Sequence, residues 1–499
     1  MHVAAQGSRG SAGLGVVAAG HPLTAQAGVR ALREGGNAVD AALAAMLMSF
    51  VAEPLLTGLG AGGHMIVADG GEPVLLDFFV ESPGGPPGGD AAELEAVYVS
   101  FGDAEQMFHI GAASCGVYGV PAGVCRAAER WGSLPLVDLA TPAARLAREG
   151  VALNEQQAYI AKILAELLCS TAECGALWSP AGRVLGEGEV LRNWELGDSL
   201  ERLAAEGDAP FYSGDIAAAV SEALAAAGGW LGGEHLRAYR ALERAPLRLA
   251  YRDREVLTNP PPSAGGILLA YSLGLLDRSP GPPSLRELVA AMEAAQDERT
   301  PAFTEGLAAE GFAEGFLSSR LGATTHISVL DARGMACAVT TTNGEGSGVV
   351  VPGTGIHMNN VMGEPDLNPL GFHRHPAGRR MPSMMAPTLV RRAGDVELVL
   401  GSAGSNRIRS ALLQTIVGVV DRGLDAGAAV GAPRAHYESG IVYHEPGLDA
   451  GALAGPGREL VCFHELNLFF GGVQAVQRRA DGTLLGAGDP RRGGVALSA

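Results

Sequence analysis

The hydrophobic positions of this 499-residue chain repeat with helical spacing over most of its length and with period two near its end. In "PLTAQAGVRALREGG" Ala25, Val29 and Leu32 fall on one helical face, and the Gly35-Gly36 pair stops the run. Asn37 then stands where a helix cap accepts backbone N–H groups, ahead of "AVDAALAAMLMSF", which is apolar nearly all round and predicts a buried helix. From about Gly116 to Glu310 the pattern predicts mostly helices, as in "PAGVCRAAERWG", "TPAARLAREG", "GDIAAAVSEALAAAGG" and "SLRELVAAMEAAQDER". Two runs interrupt them, the strand-like "APLRLAYRDREVLTN" and the turn-rich "PPPSAGG". From Gly322 onward apolar and polar residues alternate, with turns at "DARG" and "RRAGD" and a late hairpin in "GGVQAVQRRADGTLLGAGD". No linker or repeat separates these parts, so one interwoven body of sheets covered by helices is expected.

One glycine pattern has to be weighed against this picture. Gly58, Gly60 and Gly63 have the G-x-G-x-x-G spacing of a dinucleotide site, with Asp77 roughly where a ribose-binding acid would stand. That fingerprint follows a strand and opens a helix, whereas here a helix comes first and the strand-like "HMIVAD" and "PVLLDFF" follow. The glycines therefore predict a tight passage into a hairpin turned by "ADGGEP".

Composition narrows the function classes. With 47% hydrophobic and 18% charged residues the chain can bury an enzyme-sized core. A net charge of -18, with no basic run interleaved with aromatics, argues against nucleic-acid binding. The six cysteines are too irregularly spaced for a disulfide framework or a zinc site, and all are expected to be small buried hydrophobes. The first residues lack a basic segment followed by an apolar one, and the longest apolar stretch, Ala41 to Ala52, is too short for a bilayer. A cytoplasmic protein without membrane contact, metal or cofactor is expected.

The candidate chemistry lies in "GATTHISVLD" and "AVTTTNGEGSG". If Ala332-Arg333-Gly334 is a three-residue hairpin loop with Gly334 left-handed, Asp331 faces Met335 and Thr324 lies opposite Thr342. Cross-strand threonine pairs are ordinary sheet stabilisers. A threonine hydroxyl becomes a useful nucleophile when a base takes its proton, and the residue's own free α-amino group can do so. Thr324 would acquire that group only by scission of the Ala323–Thr324 bond.

These segments, together with "GSGVVVPGTGIHMNN", "RRMPSMMAPTLV", "GSAGS" and "GAGDPR", resemble the small subunit of gamma-glutamyltransferases. "EGGNAVDAA", "GLGAGGHM", "ERWGSLPLVDLATPAARLAREG" and "NPPPSAGGI" resemble the large subunit, so the likeness runs in order over almost the whole chain. The resemblance implies an α+β fold, the αββα sandwich of N-terminal nucleophile hydrolases, with a helix-rich lobe at about 116–310. It also implies self-cleavage into segments 1–323 and 324–499. Thr324 would attack the Ala323 carbonyl and then serve as nucleophile through an acyl-enzyme. Thr342 would orient it, and Gly404 and Ser405 would supply the oxyanion-hole N–H groups. A γ-glutamyl-like amide, a small molecule or peptide, would be the substrate, as in glutathione metabolism, with water or an amine as acceptor.

The likeness breaks where the family binds the glutamyl group. The carboxylate-clamping arginine of "DFRE" is Phe79 in "DFFV", and the family's serine pair is Ser383 and Met384. Gly344 replaces an asparagine, with Asn343 beside it; Val361 replaces a glutamine, and Glu364 an aspartate that would accept from an ammonium. Arg379, Arg380 and Arg407 adjoin these motifs and are expected to be structural or superficial. His326 is expected to be a hydrogen-bonded structural residue, and His373 to His375 an exposed loop. Two other readings remain: an acylase or natural-product pathway enzyme of the same fold acting on a non-glutamyl substrate, and a non-catalytic member of the family.

Overall fold

The computed structural model describes residues 7–10, 13–86, 94–100, 105–298, 325–365, 367–368 and 371–499. Helix α1, Pro22–Arg33, starts with proline at its first turn and with the His21 ring accepting from the Leu23 N–H. Helix α2, Ala38–Ala52, begins with a reciprocal cap: the Asn37 side chain accepts from Val39 and Asp40 N–H groups, and Asp40 accepts from the Asn37 N–H. Every residue of α2 is buried, as its all-round apolar pattern requires.

Two seven-stranded sheets form the centre. One runs, in spatial order, Val495–Ser498, Gly15–Ala19, Thr325–Asp331, Ala336–Thr342, Gly62–Ala68, Val74–Phe78 and Leu242–Arg244. The other runs Gly7–Gly10, Leu484–Ala487, Gly472–Arg478, Asp395–Ala403, Thr388–Arg392, Arg254–Thr258 and Leu247–Tyr251. Alternation along each strand divides its side chains between two cores. Val16, Ala18, Ile66 and Leu330 meet Leu257, Leu389, Val399 and Val476 between the sheets. Val17, Ala19, Ile327 and Val339 instead pack against α1 and α2 on the outer face of the first sheet. Val256, Val390, Leu398 and Val473 pack against helices Ala264–Asp277, Leu285–Asp297 and Arg407–Val420 on the outer face of the second. The result is a helix–sheet–sheet–helix stack.

Several expectations hold in detail. Asp331 N–H donates to Met335 O at 3.0 Å, Gly334 has φ +94°, and Thr325 pairs with Thr341, so the hairpin has the expected register throughout its described length. The Gly58–Gly63 stretch leads into the antiparallel pair Gly62–Ala68 and Val74–Phe78, without a nucleotide-type strand–loop–helix order. The "APLRLAYRDREVLTN" run is two paired strands.

Other expectations need correction. "PPPSAGG" does not remain a turn throughout: a helix starts at Ala264, because the Ser383 carbonyl accepts from the Ala264 and Gly265 N–H groups that a helix N-terminus leaves over. Cys115, Cys174 and Cys337 are buried, but Cys125 is half-buried and Cys169 and Cys462 are exposed. His375 is buried, so the 373–375 segment is not a simple exposed loop. No helix among the described residues is long and apolar enough to cross a membrane.

Both sheets draw strands from either side of residue 323. In the first, Thr325–Asp331 pairs with Gly15–Ala19 on one side and Ala336–Thr342 on the other; in the second, Arg254–Thr258 pairs with Thr388–Arg392. A chain cut between Ala323 and Thr324 is therefore expected to elute as one particle in native gel filtration and to separate into two polypeptides only in denaturant.

Candidate active site

The strand from Thr325 is fixed by what its side chains meet on both faces. Between the sheets, His326 Nδ1 lies 2.8 Å from Thr340 Oγ1 and Nε2 lies 2.9 Å from Ser328 Oγ. Burial lowers the His326 pKa to about 3, so the ring is neutral and structural. On the helical side, Thr325 Oγ1 donates to Glu53 Oε2 at 3.2 Å. One strand over, Thr341 Oγ1 lies 2.7 Å from Thr57 Oγ1, and Asn343 N–H donates to Leu56 O at 3.1 Å. Ala323 and Thr324 lie outside the described residues.

Next to this strand head a cleft collects Thr342, Gly344, Glu345, Gly404, Ser405, Arg407 and Arg492. Its wall is aliphatic, from Leu55, Leu56, Val99, Ile160, Ile163, Leu164 and Leu468. Thr342 Oγ1 accepts from the Gly344 N–H at 2.8 Å. The strand Asp395–Ala403 delivers the Gly404-Ser405 loop, where Gly404 has φ +118° and Ser405 φ +54°. A left-handed serine is uncommon and costs about 1–3 kcal/mol, which the surroundings must offset. The loop's turn bonds use carbonyls: Gly404 O accepts from Arg407 N and Ser405 O from Ile408 N. Such a loop can present its own N–H groups to a developing oxyanion.

Buried polar contacts hold this loop from behind. Asn406 Nδ2 donates to Glu438 Oε1, His436 Nε2 lies 3.3 Å from Glu438 Oε2, and His436 Nδ1 lies 2.9 Å from Ser410 Oγ. Burial opposes charge on Glu438, but His436, Arg407 and Arg409 bring its pKa down to about 2. Further along, Asp489 accepts from Val473 N–H and pairs with Arg434 and Arg491, while Arg491 also pairs with Glu445, all four being buried. This quartet anchors the turn that brings Arg492 to the cleft, with its Nη2 donating to Leu468 O at 3.3 Å. Burial, then the neighbouring Arg407, lowers the Arg492 pKa to about 10, so it remains a cation at neutral pH.

The remaining expected substrate residues are placed differently. Phe79 is fully buried in an apolar cluster with Val361, Met362, Met381 and Met385, and it does not line the cleft. Ser383 and Met384 are buried where they meet the start of helix Ala264–Asp277; Ser383 Oγ accepts from Met385 N–H. Asn343 is buried with Nδ2 donating to His357 O. Gly344 has φ +67°, and a Cβ there would lie 2.1 Å from Asn360 Oδ1 and 2.4 Å from Glu364 Oε1. Glu364 therefore occupies, with Asn360, the space a side chain at 344 would need.

Of the arginines, Arg407 stacks over Phe469 at 4.6 Å and lines the cleft, whereas Arg380 is buried elsewhere. Arg380 sits 3.5 Å from Asp77 and 3.3 Å from Glu81, and it donates to the Phe79 carbonyl. Burial alone would raise the Asp77 pKa, but Arg380, His64 and Arg244 hold it well below the usual carboxylate range. Sequence reasoning passed over Arg492, Glu345, Glu53 and the aliphatic wall. Only the position of Arg492 directly after "GAGDPR" was a local signal.

The four-layer fold, with a threonine-rich strand head beside an oxyanion-type loop, is that of an N-terminal nucleophile hydrolase. The chain belongs to the gamma-glutamyltranspeptidase family, whose model matches residues 24–320 and 313–499. It is 32% identical to an acylase ACY 1 proenzyme of Pseudomonas sp. (strain SE83), over 99% of this chain and 94% of that protein. It is 30% identical to the glutathione hydrolase proenzyme of Escherichia coli (strain K12), over 96% and 90% respectively. The crystal structure of a cephalosporin acylase from Bacillus halodurans superposes with a TM-score of 0.84 at 25% identity, covering 99% of this chain and 97% of that one. The protein is thus an enzyme of this family.

Two outcomes follow from the geometry. Ser405→Gly, which keeps the N–H and removes a left-handed side chain, should retain activity within about threefold, whereas Ser405→Pro should lower kcat by about 10²–10³. Asp77→Ala, which leaves Glu81 as the carboxylate beside buried Arg380 and removes the partner of Arg244, should cost about 1–3 kcal/mol in chemical denaturation at pH 7. Because the folded-state pKa of Asp77 is depressed, its stabilisation is present above the unfolded pKa and fades as pH falls below it.

Proposed function

We propose that Thr324 is the nucleophile of both self-cleavage and turnover. Its hydroxyl oxygen adds to the Ala323 carbonyl carbon, the C–N bond breaks to leave an ester and a free α-amine, and water hydrolyses the ester to a carboxylate at Ala323. In turnover the amine takes the hydroxyl proton as the oxygen attacks an amide donor, and it returns that proton to the leaving amine. Gly404 and Ser405 N–H groups stabilise the oxyanion, Thr342 orients the nucleophile, and water or an amine accepts the acyl group.

The observation that carries the finer reading is the fate of the glutamyl-binding positions. Phe79 and Val361 lie together in one apolar cluster, and Glu364 and Asn360 close the space beside Gly344. No bidentate fork stands at residue 79 to grip an α-carboxylate, and Val361 cannot hydrogen-bond an ammonium through its side chain. The donor is therefore an amide whose acyl group differs from plain γ-glutamyl, bound against the aliphatic wall of the cleft. The acylase relatives support this preference.

Purified wild-type protein should run as two bands on a denaturing gel, with a new terminus Thr-Thr-His, and Thr324→Ala as one full-length band. A chain that stays whole, or is cut without acyl transfer, would instead establish the non-catalytic reading. In turnover, kcat/KM for γ-glutamyl-p-nitroanilide should fall at least about tenfold below that of the best donor in an amide library, the loss expected for a missing charge-assisted pair. Efficient, saturable γ-glutamyl release would refute the donor assignment.

A further inference from the structure

Glu53 is a buried carboxyl in an unfavourable place. It is 2% exposed and caps the C-terminus of α2, where the helix dipole opposes negative charge. Its two oxygens are nevertheless both engaged. Thr24 Oγ1 on α1 donates to Oε1 at 2.7 Å, and Thr325 Oγ1 at the strand head donates to Oε2 at 3.2 Å. The backbone at Gly20 closes over the group so tightly that a Cβ there would lie 2.4 Å from Oε2. Arg492, from the turn after Asp489, is the charged group that faces it; α1 presents Thr24 and the strand presents Thr325. The same Arg492 lines the cleft with Gly404 and Ser405. Glu53 thus touches the residue next to the proposed nucleophile and interacts with a cation of the catalytic cleft.

We propose that Glu53 is a positioning residue for catalysis: it holds the strand head through Thr325, and its ionisation is felt by the reacting residue, Thr324, which one peptide bond joins to Thr325. The inference rests on the assignment of Thr324 made above. One peptide bond joins Thr325 to Thr324, so whatever fixes the Thr325 side chain also restricts where the preceding hydroxyl and amine can stand. No covalent role is assigned to it.

Its titration supports this geometry. Burial raises the Glu53 pKa from 4.5 to about 7, against the opposing effects of Thr24, Thr325 and Arg492. For an acid whose pKa is higher folded than unfolded, the folded state binds more protons between those values, so stability falls as pH rises from about 4.5 to about 7.

The test compares three variants of the full chain with wild type in melting temperature, self-cleavage and the pH profile of kcat/KM. Glu53→Gln should melt at or above the wild-type temperature at pH 8, lose at least tenfold in kcat, and move the acid limb of the profile down by half a unit or more. Thr325→Val removes the same hydrogen bond without a charge change, and should lower kcat while leaving that limb in place. A Glu53→Gln chain that melts like wild type but stays a single band also supports the proposal, since self-cleavage uses the same hydroxyl. Should Glu53→Gln fail to fold, Glu53→Asp decides: it keeps the charge but withdraws it from Thr325, so kcat should fall with the limb unchanged. Wild-type kcat and profile in Glu53→Gln, a Thr325→Val limb shifted as far as that of Glu53→Gln, or wild-type kcat in Glu53→Asp would each overturn the role. Failure of the nucleophile assignment reads out separately, as a wild-type protein that is not cut before Thr324.

Discussion

Backbone pairing on both sides of the strand Thr325–Asp331 is the constraint on which the site depends. Gly15–Ala19 pairs along one edge and Ala336–Thr342 along the other, so the strand cannot slip without breaking two ladders. A slip of one residue would also turn His326 and Ser328 out of the space between the sheets toward the helices and move Ile327 and Val329 into their place. Ile327–Asp331 is paired on both sides and Thr325 and His326 on one, and this anchorage serves nucleophilic catalysis because a hydroxyl misplaced by an ångström loses much of its advantage. A scission before Thr324 would free one chain end and leave both ladders intact.

The catalytic surroundings are assembled by buried charge as well as by apolar packing. Arg434, Arg491, Glu445 and Asp489 form a quartet removed from water, and Asn406, His436 and Glu438 support the loop at Gly404. Such groups are a poor source of net stability, because desolvation cancels much of their attraction. Their benefit here is geometric. They hold Ser405 in a left-handed conformation and deliver Arg492 to the cleft, neither of which an apolar core would specify.

The altered positions of the family's binding pocket form a coherent set. Phe79 and Val361 make one apolar cluster instead of two polar contacts, and the side chain missing at Gly344 is matched by a longer acid at Glu364. Space is filled beside Gly344, while polar side chains give way to apolar ones at Phe79 and Val361.

Much of this was legible in the chain itself. The capped helix α2, the hairpin register around Gly334 and the glycine passage into Gly62–Ala68 follow from local rules of capping, turn chemistry and periodicity. The motif around Thr324 and the substitutions at Phe79, Gly344 and Val361 were likewise visible as residues in order. What tertiary structure alone decided were contacts between distant segments: Glu53 beneath Thr325, Arg492 beside Gly404, and Arg380 turned away from the cleft toward Asp77. These pairings join residues up to hundreds of positions apart, and nothing in the sequence pattern near Glu53 or Arg380 distinguishes a structural charge from one facing a site. The two sheets place those segments side by side, and only that packing sets which charges are desolvated and which partners they meet.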